Sequence, residues 1–250
     1  MPIPATTRLY LQDDHCYETD AVIVAVGENE VACDRTCFYP GGGGQPPDHG
    51  SLVLPGGRTL EIGSVRSHGE VIWHAAVAAL PPGLPGLAVR LILNRERRVA
   101  LARYHTVLHV LNTLALRDYG GWITGVQIGA DYSRIDFKLE GFSAALCAEL
   151  ERKVNAVLEA GCALRAYSIS EEEFLRRGDL LRTLEARPPV VHGQVRVVEI
   201  EGFDAQACGG THVRTTAEVG RMTIVRTENR GRINKRLYLK LDPATHALGA

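Results

Sequence analysis

The sequence predicts an α+β protein in two parts: a small all-β domain over residues 1–94, then an α+β domain over residues 95–250 whose helices pack on an antiparallel sheet. Three observations carry this reading. Residues 21–93 hold short runs rich in Val, Ile, Leu and Thr, with Gly or Pro at nearly every junction. Residues 95–117 place apolar side chains at helical spacing, starting after Asn94 and running toward Gly120-Gly121. Beyond them, strand-like and helix-like segments alternate.

In chain order, residues 21–26 and 30–34 read as strands flanking a Gly27-Glu28-Asn29 turn, followed by β-rich runs at 51–54, 59–65, 71–74 and 87–93. Many short strands joined by close turns suit a small antiparallel barrel or a sandwich, and the barrel is adopted as the expectation. The run Pro81-Pro82-Gly83-Leu84-Pro85-Gly86 is connector chemistry, yet a strand follows it, which puts the domain boundary near Asn94. Asn94 can cap a helix from 95 to about 117 that ends at Tyr119-Gly120-Gly121. Residues 123–128 and 133–139 then read as strands, and 143–160 as an amphipathic helix closed by Gly161. Ser170 with Glu173 is a capping-box pattern that starts a short helix. Strands near 196–201, 222–227 and 237–241 complete the order.

A chain of 250 residues with 45% hydrophobic content can bury a full core. It has no apolar run approaching the roughly 18 residues of a membrane span, and its N-terminus lacks the basic-then-apolar layout of a secretion signal. A soluble, cytoplasmic protein with no membrane partner is expected. Its six cysteines are too dispersed for a secreted disulfide framework, and only Cys208 has ligand company. Cys33 and Cys37 lack a second pair to complete a metal site. The net charge of −1 hides an uneven distribution: residues 1–34 hold seven acids and one Arg, whereas residues 214–240 hold eight bases and two acids. That local excess can meet phosphates, and Arg221, Arg226, Arg230, Arg232, Lys235 and Arg236 are its candidate phosphate contacts, a solvated strand face being the plain alternative.

The chemistry centres on His105-Thr106-Val107-Leu108-His109. Two imidazoles four residues apart lie on one face of a helix, and zinc takes such nitrogens readily. A His pair alone is more often a hydrogen-bonded structural pair. Here a second pair, Cys208 and His212 around Gly209-Gly210, completes a four-ligand set of three His and one Cys. A zinc-protease mechanism is excluded, because it needs Glu after the first His and Thr106 stands there. An ATP-binding loop is excluded at residues 41–44, because no Lys-Ser or Lys-Thr follows the glycines. That glycine run carries no side chains, so its role must lie in its backbone.

These two motifs, with CGGTHV in the second, resemble those of the alanyl-tRNA synthetase editing domain and its free-standing relatives, the AlaX proteins, which deacylate tRNA carrying the wrong amino acid. The likeness extends over nearly the whole chain. Residues 37–50, with Phe38-Tyr39-Pro40, Gly42-Gly43-Gly44-Gln45 and Asp48-His49-Gly50, are similar to the family's FYP-GGGQ-DxG segment. Gln127-Ile128-Gly129 and Arg134-Ile135-Asp136-Phe137 are similar to its Q-x-G and R-x-D-F strands, and Arg196-Val197-Val198 leads into the cysteine motif.

The resemblance implies a zinc-dependent, trans-acting hydrolase of mischarged tRNA for alanine, taking seryl-tRNA and glycyl-tRNA, with residues 95–250 as the zinc-containing editing domain. It also implies that Gly42, Gly43 and Gly44 lean toward the pocket and shape which aminoacyl group fits. Thr106 and Gln127 are the hydroxyl and amide expected to reward a seryl hydroxyl, each with a local structural hydrogen bond as its alternative. The family often has Ala where Val107 stands, a larger residue that would trim the pocket. Four protein ligands describe a closed site, whereas hydrolytic zinc usually keeps a position open. Either one ligand is loose, or coordination expands, or the metal grips the substrate's amino group. The sequence designates no general base and no oligomeric state. It has no segment for adenylate synthesis, which argues against a complete synthetase. Threonyl-type editing and a non-catalytic zinc-stabilised RNA-binding module are the competing readings.

Overall fold

The structure, a computed structural model, describes residues 2–182, 188–231 and 233–243. The chain forms two compact units, Met1–Gly42 with Pro46–Val99, and Gly43–Gln45 with Ala100–Ala250.

The first unit contains β1 (Thr7–Arg8), β2 (Glu18–Val26), β3 (Glu30–Cys33), β4 (Arg35–Thr36), β5 (Gly50–Val53), β6 (Thr59–His68), β7 (Val71–Ala76) and β8 (Ala88–Leu93). Six of them close a barrel in the order β2-β3-β7-β6-β5-β8, with every pairing antiparallel. Alternation decides what points inward: Ile72, His74 and Ala76 on β7 and Val89, Leu91 and Leu93 on β8 are buried, and their neighbours are not. Ile23, Val31, Leu52 and Ile62 meet them in one apolar core. A register shift between Ile62 and Ser64 bends β6, which helps a short sheet curl into closure. Arg98 and Asp48 form an ion pair of which each side chain is 1% exposed. Arg98 also donates to the Cys37 carbonyl at 2.7 Å, and Asp48 accepts from the Tyr39 amide at 2.7 Å. Cys33 and Cys37 are buried, and burial pushes the Cys33 thiol up to about 12, so both pack as small apolar groups.

Helix α1 (Arg95–Tyr119) begins where expected, with Asn94 Oδ1 accepting from the Arg97 amide at 3.0 Å. It ends at Gly120, whose φ of 66° lets its amide and that of Gly121 turn back to Leu116 and Ala115. Residues 101–115 are buried without exception, so this stretch is a central helix rather than an amphipathic cover. The second unit continues with β9 (Trp122–Gln127), β10 (Ser133–Lys138), α2 (Ala144–Glu159), β11 (Leu164–Ser170), α3 (Glu171–Arg176), β12 (Val190–Val191), β13 (Gln194–Ile200), β14 (Asp204–Ala207), β15 (Met222–Asn229) and β16 (Asn234–Leu241). Ser143 and Ser170 cap α2 and α3 by accepting from Leu146 and Glu173 amides.

The expected single sheet is in fact two antiparallel sheets, β15-β16-β10-β9 and β11-β13-β12 with β14 on the far side of β13. The described fold is mostly β with few helices, and β11, β12 and β14 were not anticipated from the sequence. Ile135, Phe137, Leu237 and Leu239 of the first sheet join Leu108, Leu111 and Leu114 of α1 and Leu150, Val154 and Leu158 of α2 in one core. Among the described residues no helix is long and apolar enough to cross a membrane.

Candidate metal centre

Helix α1 presents His105 and His109 one turn apart, and the loop after β14 presents Cys208 and His212. Polar side chains tie those two elements together. Gln206 of β14 donates to the His109 carbonyl at 3.1 Å and to Thr113 Oγ1 at 2.9 Å, and accepts from Asn112 at 3.1 Å. Thr113 in turn donates to Asp204 at 2.7 Å. Arg196 of β13 pins the loop itself, donating to the carbonyls of Cys208 at 3.2 Å and Gly210 at 2.8 Å.

The result is a cluster in which the ligand atoms of His105, His109, Cys208 and His212 all lie within 4.8 Å of one another. Cys208 Sγ is 3.4 Å from Nε2 of both His105 and His212. Gly210 is obligatory for this closure, because a Cβ there would stand 2.2 Å from His105 Cε1 and 2.8 Å from Gln45 Oε1. Burial drives all three imidazoles below their ordinary pKa, His105 to about 3 with Arg196 adding to the effect. They are therefore neutral, the form in which an imidazole can bind a metal.

Two of the rings are also oriented. His105 Nδ1 lies 2.8 Å from Gln45 Oε1, which also accepts from the Thr211 amide at 3.1 Å. The other end of the same amide donates to Thr211 Oγ1 at 2.9 Å, so Gln45 cannot flip without losing partners. His212 Nδ1 lies 3.1 Å from Thr106 Oγ1, which accepts from the Val213 amide at 3.3 Å as well. Gln45 Oε1 can only accept, so His105 Nδ1 carries its proton outward and leaves the Nε2 lone pair facing the cluster, and Thr106 Oγ1 offers an acceptor at the same position behind His212. Among the described residues the His109 ring makes no hydrogen bond. Three neutral imidazoles and a cysteine sulfur gathered at one point can hold a metal ion and are consistent with zinc.

Thr106 is beside the cluster, but its hydroxyl is fully buried and engaged with His212 and Val213. Gln127 is exposed at the end of β9, and its Oε1 accepts from Arg134 at 2.8 Å. All four glycines of residues 41–44 have positive φ. Gly44 is pressed against β9: a Cβ would meet the Val126 carbonyl at 2.8 Å, and the Gly44 carbonyl accepts from Ile128 at 2.8 Å. Gly43 has open space around it, while the Gly42 carbonyl accepts from Tyr39 at 3.0 Å.

The basic run is not one open patch. Arg221 is exposed, whereas Arg226 and Arg230 both pair with Glu228. Arg236 grips Asp136 through two bonds of 2.6 Å, and Lys235 is buried with its ammonium on the Gly231 carbonyl at 3.3 Å. Arg232 lies outside the described residues. The sequence reading singled out neither Gln45 nor Arg196 as a site residue; the signal present was the position of each inside a segment that resembles the family's.

Residues 195–238 match the family model described as the threonyl and alanyl tRNA synthetase second additional domain. An alanyl-tRNA editing protein AlaX-M of Methanosarcina acetivorans is 36% identical over 242 residues, covering 94% of this chain and 99% of that one. The AlaX-M protein of Saccharolobus solfataricus is 32% identical, covering 95% of this chain and all of its own length. An alanine–tRNA ligase of Korarchaeum cryptofilum is 37% identical over 226 residues, which is 89% of this chain but 25% of the ligase. With four potential metal ligands gathered at one point and likeness over nearly the full length of its relatives, the chain belongs to the AlaX-M family of alanyl-tRNA editing proteins.

Proposed function

We propose that this protein is a trans-acting aminoacyl-tRNA deacylase that hydrolyses the ester of mischarged tRNA for alanine in the cytoplasm, the seryl form chiefly and the glycyl form beside it. Residues 1–94 are its barrel domain and residues 95–250 its zinc-binding editing domain. The observation that carries the reading is the convergence of His105, His109, Cys208 and His212 in a chain so similar to AlaX-M proteins. Zinc bound there would polarise the ester carbonyl and acidify a water. The water oxygen ends on the amino acid's carboxyl group, and the ribose oxygen leaves with a proton.

The chain's own residues prepare the site. Gln45 and Thr106 hold the Nδ1 protons of His105 and His212, which keeps both Nε2 atoms directed at the cluster. His109, whose ring no hydrogen bond holds among the described residues, is the ligand best able to swing aside and open a closed four-ligand set. A seryl ester differs from an alanyl ester by one hydroxyl, so discrimination needs groups that reward it. Gln127 and Gly42, Gly43 and Gly44 are assigned that role. Thr106, fully buried with two bonds already at its oxygen, is assigned instead to holding His212. Exposed Arg221, Arg226 and Arg230 are the phosphate contacts this reading retains.

Deacylation of seryl-, glycyl- and alanyl-tRNA for alanine, with seryl-tRNA for threonine as a fourth substrate, tests the proposal. The seryl and glycyl esters on tRNA for alanine should be cleaved and the alanyl ester spared. Faster cleavage on tRNA for threonine would transfer the reading to threonyl-type editing. No cleavage of any ester by zinc-loaded protein would leave a binding module.

A further inference from the structure

The sheet β15-β16-β10-β9 has one face in the core, through Ile135, Phe137, Leu237 and Leu239, and the other open. Its pairing register aligns Arg226 with Tyr238, Tyr238 with Arg134, and Arg134 with Gln127. One row of side chains therefore crosses all four strands on the open face. Tyr132, the residue before β10 and 50% exposed, sets its ring 6.4 Å from that of Tyr238. The Arg226 guanidinium lies 4.8 Å from the centre of the Tyr238 ring. Around this row the face carries Arg134, Lys138, Arg226, Arg236 and Lys240 against Asp136 and Glu228, a net positive surface with the Tyr238 ring on a central strand and the Tyr132 ring beside it.

We propose that this face is a stacking platform for the unpaired 3′-terminal nucleotides of tRNA. The inference rests on the editing function proposed above and names where that substrate's single strand lies. Flat aromatic rings flanked by guanidinium groups hold unpaired bases by stacking, while the surplus cations meet their phosphates. A duplex hides its base faces and offers no such fit. The row also leads somewhere: it ends at Gln127, whose neighbours Val126 and Ile128 hold Gly44, and the next residue, Gln45, holds His105. A strand stacked along the row would thus approach the four-ligand cluster with its end.

The probe is a short single-stranded oligoribonucleotide ending in CCA, with the duplex of the same sequence as comparison. Tyr132→Ala and Tyr238→Ala together should weaken single-strand binding by about tenfold or more, in keeping with stacking at each ring. The Tyr132→Phe, Tyr238→Phe pair keeps both rings and should bind within about twofold of the wild type, by the same argument. Alanine variants that bind like the wild type, or a duplex that binds as tightly, would overturn the proposal. Ultraviolet cross-linking of the oligonucleotide to wild-type protein avoids any folding defect of the variants. Adducts should map to the peptides bearing Tyr132 and Tyr238, and adducts confined to other peptides would overturn it equally. Because both readouts use uncharged RNA, they stand whether or not seryl esters are hydrolysed. Loss of deacylation with intact stacking would refute the proposed function and leave the platform in place.

Discussion

Single side chains behind the ligands decide whether the ligands work. Gln45 is held by three hydrogen bonds, two at Oε1 and one at Nε2, and one of them fixes the tautomer of His105. Gln45→Leu should lower zinc affinity about 10–100-fold, the usual cost of losing such support, measured by competition with a chelator. Gly210→Ala should do worse, because its methyl group would occupy the place of the His105 ring. His109→Ala should lose less zinc affinity than His105→Ala or His212→Ala, since among the described residues no hydrogen bond supports its ring. Thr106→Val separates two roles. Equal losses on seryl and glycyl esters, with weaker zinc binding, are expected from its contact to His212; a loss confined to the seryl ester would instead make it a substrate contact. The four clustered residues were legible because the same four-residue spacing occurs twice, once along a helix at His105 and His109 and once across a Gly-Gly loop at Cys208 and His212. Gln45 was not, because a polar residue in a Gly-Pro loop looks like turn chemistry until a partner 60 positions away is brought to it.

The barrel and the central helix have stabilities that can be tested separately from the chemistry. His74 is fully buried inside the barrel between Thr36 Oγ1 at 2.8 Å and the Val31 carbonyl at 3.2 Å, and burial lowers its pKa to about 4. The unfolded chain, with an ordinary His pKa near 6.5, takes up the proton first. The stability that His74 contributes is therefore complete above about pH 6.5 and is lost as pH falls toward 4, by up to about 1.4 kcal/mol per pH unit. In urea titrations this part of the acid dependence should disappear in His74→Leu. Arg98→Met should cost about 3–5 kcal/mol by stranding Asp48 as a buried charge, and adding Asp48→Leu should recover part of that loss. Among elements, alternation made β7 and β8 readable. By contrast β11 pairs with β13 along its whole length but exposes most of its side chains, so no hydrophobic alternation marks it. The segment Asp-Ala-Gln-Ala of β14 has no strand preference and is held by Gln206 and Asp204 reaching α1.

At the scale of the molecule, the all-β character of the N-terminal part and the helices α1, α2 and α3 could be read from turn residues, caps and apolar periodicity. The division of the C-terminal unit into two sheets could not, because it depends on which distant strands pair. Charge was legible as a sum and misleading as a surface: Arg236 and Lys235 count as cations in the sequence but are spent on Asp136 and on a buried backbone carbonyl. Binding of tRNA should still fall steeply with salt, because Arg221, Arg226 and Arg230 remain at the surface, and replacing these three should flatten the salt slope. The central claim is that four residues from two distant segments make one zinc-dependent hydrolytic site. Titrating zinc into metal-stripped protein while following seryl-tRNA hydrolysis tests it most directly. The rate should rise from near zero and saturate at one zinc per chain, with His105→Ala failing to respond. Full hydrolysis by the stripped protein, or zinc binding that leaves the rate at zero, would contradict it.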